Sequence, residues 1–302
     1  MKYRIQHTTR YVGSEPVSVG HNEAWLTPRS TLLQRTESHA LRIIPAPSIL
    51  STRTDYFGNT VTQFSFNQGY DALTVTAISE VDVDPRPVVA NDPAWDEVSK
   101  ALVLHGSAFD LSAFEFVFNS QRCRSRPEFF EYTRPAFPPG RPLRACLHDL
   151  LARFHNDFKF DPQATTVTTP VEQVFQQRKG VCQDFAHLLI AMLRSQGLAA
   201  RYVSGYLRTL PPPGKPRLIG ADASHAWVSV YAGEEAWIDI DPVMGKFVDS
   251  DHITVSWGRD YGDVTPLKGV YIGGGTHQLT VSVDVEEQSV ATPGDVQPAA
   301  PR

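Results

Sequence analysis

The sequence predicts an α+β protein: a β-sandwich-like domain first, then a helix bundle packed on an antiparallel sheet. Three observations carry this. Residues 1–84 alternate polar and apolar side chains with period two, residues from 143 onward carry helical periodicity, and two short strands follow residue 223 as a hairpin. The chain of 302 residues is long for one core and sufficient for two.

In the first domain, Tyr3, Ile5, His7, Thr9 and Tyr11 alternate with Arg4, Gln6, Thr8 and Arg10. Ser38–Ile44, Thr60–Phe66 and Ala72–Val83 repeat the pattern, with Phe57-Gly58-Asn59 as a turn. Prolines in Asp84–Pro87 and Asn91–Pro93 mark a linker, and residues 85–142 read as linker plus helical segment. Asn91 or Asp92 is expected to cap a helix that starts at Pro93 and runs to Leu104. An amphipathic helix over Leu143–Asn156, with Leu147, Leu150, Leu151 and Phe154 on one face, opens a core domain assigned to residues 143–288. Residues 289–302 are too polar to pack and are expected to be disordered.

Composition narrows the function. Hydrophobic residues make up 41% and charged residues 20%, which excludes a largely disordered chain. The net charge of −5 argues against nucleic acid or a membrane surface as partner. Ala186–Leu193, the longest apolar run, is interrupted by His187 and too short to span a bilayer, and Met1–Gly13 shows no signal peptide. Three cysteines are an odd and sparse set, so a reducing cytoplasm is the expected location.

Cys182 opens the helical run Cys182–Gln196, which Gly197 ends. It lies on the stripe of Phe185, Leu189, Met192 and Leu193, one turn earlier. Unpaired N–H groups and the positive end of the helix dipole favour a thiolate there. Cys123 and Cys146 read as small core hydrophobes. Downstream, Ser224–Tyr231 and Glu235–Asp241 form the hairpin. A turn centred on Gly233 sets Val228 against Ile238, Ala226 against Ile240 and Asp239 against Trp227, and puts His225 directly opposite Asp241. An imidazole oriented by a carboxylate is the base that a thiol nucleophile requires, and the order Cys…His…Asp is papain-like.

Gly180-Val181-Cys182-Gln183-Asp184-Phe185-Ala186-His187, Ala200–Tyr206, Ser224-His225-Ala226-Trp227 and Trp237–Pro242 resemble the bacterial transglutaminase-like superfamily. Asp55–Asn59 is similar to that family's N-terminal β domain, and Gly258–Pro266 to its C-terminal signature, so the resemblance spans residues 1–288. It implies a papain-like, transglutaminase-like core with Cys182 as nucleophile, His225 as base and Asp241 as orienting carboxylate. Pro242-Val243-Met244 departs from the family's Pro-Thr-Asn and removes polar groups beside the aspartate.

Gln183 and Trp227 are the further candidates for oxyanion hole and cleft, with the backbone N–H of Cys182 the preferred oxyanion donor. Trp237 is a candidate for either cleft or core. His187 and His252 read as structural, and Arg259, Asp260 and Asp263 as an ion-pair cluster closing the core or touching substrate. The expected activity is thiol acyl transfer on a peptide or protein amide, including a glutamine carboxamide or an isopeptide, with hydrolysis favoured over amine transfer. It needs no cofactor and no metal. Two other readings are a non-catalytic peptide-binding domain and a metal site of Cys182, His187 and His225, the latter lacking recognised ligand spacing.

Overall fold

The structure is a computed structural model describing residues 1–85, 92–105, 107–209 and 223–288. The linker between residues 86 and 91, Asn91 included, and the tail 289–302 lie outside the described residues. No described helix is long and apolar enough to cross a membrane.

Five strands open the chain: β1 (Lys2–Ala24), β2 (Gln34–Ile44), β3 (Ile49–Thr54), β4 (Thr60–Phe66) and β5 (Tyr70–Val83). Then come α1 (Trp95–Leu104), α2 (Ala108–Phe114), α3 (Pro127–Thr133), α4 (Leu143–Asp157), β6 (Lys159–Phe160), α5 (Val171–Gln177), β7 (Lys179–Gly180) and α6 (Cys182–Ser195). A second set of strands follows: β8 (Ala200–Leu207), β9 (Ala223–Tyr231), β10 (Trp237–Asp241), β11 (Lys246–Phe247) and β12 (His252–Gly258). The chain closes with β13 (Leu267–Gly273) and β14 (His277–Gln288).

The first layer is organised around β1. Its first half pairs with β5 on one side and β14 on the other, and its second half with β4 and β13. The ladder slips between Val12 and Val17, where Gly13 and Pro16 interrupt it. A Cβ on Gly13 would sit 2.7 Å from two carbonyl oxygens, so glycine permits the close crossing. Phe64, Phe66, Leu73, Val75 and Leu267 fill the space between the two halves. The last two strands thus belong to the first layer. β13 and β14, within the stretch 143–288 expected as the core domain, find their hydrogen-bonding partners on β1.

The second layer is a five-stranded antiparallel sheet in the order β11-β10-β9-β8-β12. Helix α6 is buried on every face from Asp184 to Arg194, rather than on the single stripe expected. Asp92 does cap a helix, but a different one: its Oδ1 accepts the N–H of Arg144 at 2.9 Å in the first turn of α4, and α1 begins at Trp95. The two layers meet through Tyr3, Ile5, Val283 and Val285 against Tyr206, Ile253 and Val255. The Asp55–Asn59 turn also docks on the second layer, since Asn59 donates to the carbonyl of Trp257 and accepts its N–H, at 2.8 and 3.0 Å.

Candidate active site

Cys182 is the first residue of α6 and is half-buried. The turn before it is fixed by Asp184, whose Oδ2 accepts the Val181 N–H at 2.9 Å and the Thr165 hydroxyl at 2.6 Å. A Cβ on Gly180 would lie 2.9 Å from that carboxylate, so only glycine lets the turn close on Asp184. The side chain of Asp184 therefore secures the chain entering the helix, and the thiol is held at its positive end.

His225 reaches Asp241 along the hairpin, with Nε2 2.7 Å from Oδ2. The register differs from the expected one by two residues: Ile240 pairs with Val228 and Asp239 with Ser229. The turn is centred on Glu234, with Gly233, Glu234 and Glu235 all at positive φ and Ala232 bonded to Ala236. A shift of two preserves which face each side chain occupies. His225 and Asp241 therefore meet on the diagonal instead of directly opposite, still within reach.

The carboxylate of Asp241 is saturated. Its Oδ1 accepts the amides of Val243 and Met244 at 2.8 and 3.1 Å, so the backbone supplies donors where this chain lacks the family's polar side chains. Its Oδ2 also lies 3.2 Å from Nε2 of His252, which is fully buried and whose Nδ1 is 2.9 Å from Asp249. His252 reads from the sequence as structural, while its bonds to Asp241 and to Asp249 are not expected from it. The only signal was a histidine at the start of an alternating strand, His252-Ile253-Thr254-Val255.

Burial opposes a charged His225, but hydrogen bonds to Asp241 and to Cys182, with the charges of both, outweigh it and push the imidazole up to about 10. Burial likewise opposes ionised Asp241, and the hydrogen bonds from His225 and His252 hold it well below the usual carboxylate range. With Nε2 given to the carboxylate, Nδ1 is the nitrogen left for the thiol. His225, Asp241 and His252 also bring three ligand atoms within 4.8 Å of one another. Each nitrogen there is already matched to the same oxygen by a hydrogen bond.

The remaining candidates separate. Gln183 donates its amide to the Val167 carbonyl at 3.2 Å. Trp227 is fully buried, edge-on to His252, and occupies the core instead of the cleft. Gly205 makes room for it, because a Cβ there would meet the indole at 2.4 Å. Trp237 packs on Phe116 and Tyr231. His187 is buried, accepts the Tyr261 N–H at 3.1 Å and is pulled down to about 3 by that burial. It does not join His225 as a ligand set. Asp260 accepts the amides of Arg122 and Gly262, and Arg259 pairs with Asp263 through two 3.0 Å contacts, so this cluster fastens the C-terminal signature.

Residues 3–82 match the bacterial transglutaminase-like N-terminal region, and residues 141–242 match the transglutaminase-like superfamily. An uncharacterized protein of Mycobacterium tuberculosis is 43% identical over 94% of this chain and 92% of its own. A protein-glutamine gamma-glutamyltransferase of Pseudomonas aeruginosa is 32% identical, over 33% of this chain and 15% of that protein. In fold, the chain is similar to a crystal structure from Cytophaga hutchinsonii, provisionally assigned as a cysteine protease, with a TM-score of 0.72 and 18% identity across 96% and 92% of the two chains. The near full-length relative and the two family matches together place this chain in the transglutaminase-like superfamily, with the bacterial N-terminal region ahead of the core.

Proposed function

We propose that the protein is a thiol acyl-transfer enzyme that cleaves amide bonds of peptides or proteins through Cys182, His225 and Asp241. The observation that carries this reading is the hydrogen-bonded series from the Cys182 thiol through the His225 imidazole to the Asp241 carboxylate. The thiol proton passes to His225, and the thiolate attacks the amide carbonyl. The tetrahedral intermediate collapses as His225 protonates the leaving amine, giving a thioester. His225 then takes a proton from water, whose oxygen attacks the thioester and releases the acid and the free thiol. Asp241 holds the imidazole tautomer and stabilises its charged form, and His252 and Asp249 keep Asp241 in place. The N–H groups of the first turn of α6 are the donors available to the oxyanion.

Water is favoured over an amine as second nucleophile because Cys182 is only half-buried, which leaves the thioester open to solvent. The local similarity to a protein-glutamine gamma-glutamyltransferase supports amine transfer as the second reading. The three cysteines are free thiols, in keeping with a reducing compartment such as the cytoplasm. The test is incubation of casein with the protein and a fluorescent primary amine, followed by mass spectrometry. New peptide termini or deamidated glutamine support hydrolysis, and amine incorporation supports transfer. Neither product, or products equal to those of Cys182→Ala, would reject the enzyme.

A further inference from the structure

A cleft of about 400 Å³ is lined by residues that include Arg122, Arg124, Arg126, Thr168, Thr169 and Glu172. The arginines share it for a local reason. In the segment before α3, Cys123 is buried and the Ser125 hydroxyl donates to the Ala191 carbonyl of α6, so Arg122 and Arg124, which alternate with them, face the other way. Arg126 is extended, at φ −138° and ψ 152°, and continues the alternation. Three arginines against one glutamate leave a formal surplus of two positive charges in a chain whose net charge is −5.

The charges are not equivalent. Arg126 is committed to Glu172 at 2.5 Å. Arg122 is positioned rather than neutralised: its amide is held by Asp260, its Nη1 donates to the Val167 carbonyl, and its Nε–H is buried with no hydrogen-bond partner among the described residues. Arg124 is exposed, and its charge acts on Glu172 together with that of Arg126. The Val167 carbonyl that receives Arg122 also receives Gln183, the neighbour of Cys182. Arg122 further lies over the ring of Tyr261, which packs against the same core as Cys182. The cationic cleft is therefore linked, through the Val167 carbonyl, to the first turn of the helix that carries Cys182.

We propose that this cleft is a substrate subsite for a carboxylate, so that the amide attacked by Cys182 belongs to an acidic peptide. The inference rests on the acyl-transfer reading and gives it a substrate class. Guanidinium groups present planar paired donors that suit a carboxylate, from an acidic side chain or a free C-terminus alike.

Two measurements on the full chain test it. The first compares alkylation of Cys182 by iodoacetate, an anion, with alkylation by neutral iodoacetamide at low ionic strength. The iodoacetate-to-iodoacetamide ratio should fall about threefold in Arg124→Gln and recover in Arg124→Lys, while the iodoacetamide rate stays put. An unchanged ratio overturns the subsite. Failure of iodoacetamide to single out Cys182 overturns the acyl-transfer reading instead. The second is calorimetric titration with N-acetylglutamate α-amide, N-acetylalanine and neutral N-acetylalanine amide. Binding of the first points to acidic side chains and of the second to C-termini. Loss of either in Arg124→Gln supports the site, and equal behaviour of the charged and neutral compounds overturns it.

Discussion

His252 places its Nε2 3.2 Å from the Asp241 oxygen that also receives His225, so one carboxylate oxygen serves two imidazoles. The second imidazole has no path to substrate, being fully buried, and acts through Asp241 as a positioning residue. Replacing His252 with Ala should lower amide hydrolysis by about tenfold to a hundredfold, the loss of one hydrogen bond to a charged group. His252→Gln, which keeps a donor, should recover part of the rate. A purely packing role would leave the pH profile of Cys182 alkylation unmoved in both variants; a positioning role shifts it in the alanine variant.

The three thiols should differ sharply in reactivity. Cys123 and Cys146 are fully buried, and burial pushes them up to about 12 and about 11. Cys182 is half-buried and hydrogen-bonded to His225. Iodoacetamide at pH 6 should therefore label Cys182 alone in the folded protein, as read by peptide mass spectrometry. Comparable labelling of all three would remove the activated nucleophile.

Asp241→Asn should leave circular dichroism near native and reduce turnover by about 10⁴, as an amide favours the wrong imidazole tautomer. Asp239→Asn should behave in the opposite way. Asp239 pairs with Ser229, and its charge supports Arg201, which is stacked 3.9 Å from Trp237 and 3.8 Å from Trp257. Its loss should cost roughly 1–3 kcal/mol of stability while sparing the rate per folded molecule. Kinetics and urea unfolding of both variants separate the two effects, and an inactive but stable Asp239→Asn would contradict the assignment.

Stability should be highest near pH 6.5 and fall on both sides. His225 titrates at about 10 when folded against an ordinary value of 6.5, so its contribution is complete below 6.5 and is lost as pH rises through about 10. His187 runs the other way. Its folded value of about 3 means that the unfolded chain takes the proton first, so stability falls as pH drops from 6.5 toward 3. Urea midpoints at pH 4, 6.5 and 9.5 measure this. Asp241→Asn should flatten the alkaline limb, and a wild-type protein equally stable at pH 6.5 and 9.5 would contradict the His225–Asp241 pairing.

Activity should survive dialysis against EDTA, since each imidazole nitrogen facing Asp241 is already engaged by a hydrogen bond. Activity lost to the chelator and restored by zinc would favour a metal at His225, Asp241 and His252.

What the chain reveals without a structure depends on whether the cause is local. Thr60–Phe66 and Leu143–Asn156 follow from side-chain periodicity, and the structure has the strand Thr60–Phe66 and the helix Leu143–Asp157. The parity of the hairpin also follows, because Val228, Val230, Ile238 and Ile240 must share the core. Its absolute register does not, because Glu234 and Glu235 adopt a left-handed backbone that residue preference disfavours. Two other features were hidden by distance along the chain. Asp92 caps α4 from more than fifty positions away, and β14 takes its place beside β1 only after the whole core has intervened.

That last pairing constrains the order in which the protein can be made. Lys2 lies beside Gln288, so β1 must wait for β13 and β14 before its ladder is complete. Until then one flank of β1 is an open template for other strands. Such a long-delayed closure favours slow folding and penalises premature termination. A product truncated before residue 267 would retain Cys182, His225, Asp241 and His252 in its sequence while leaving β1 unpaired along that entire flank.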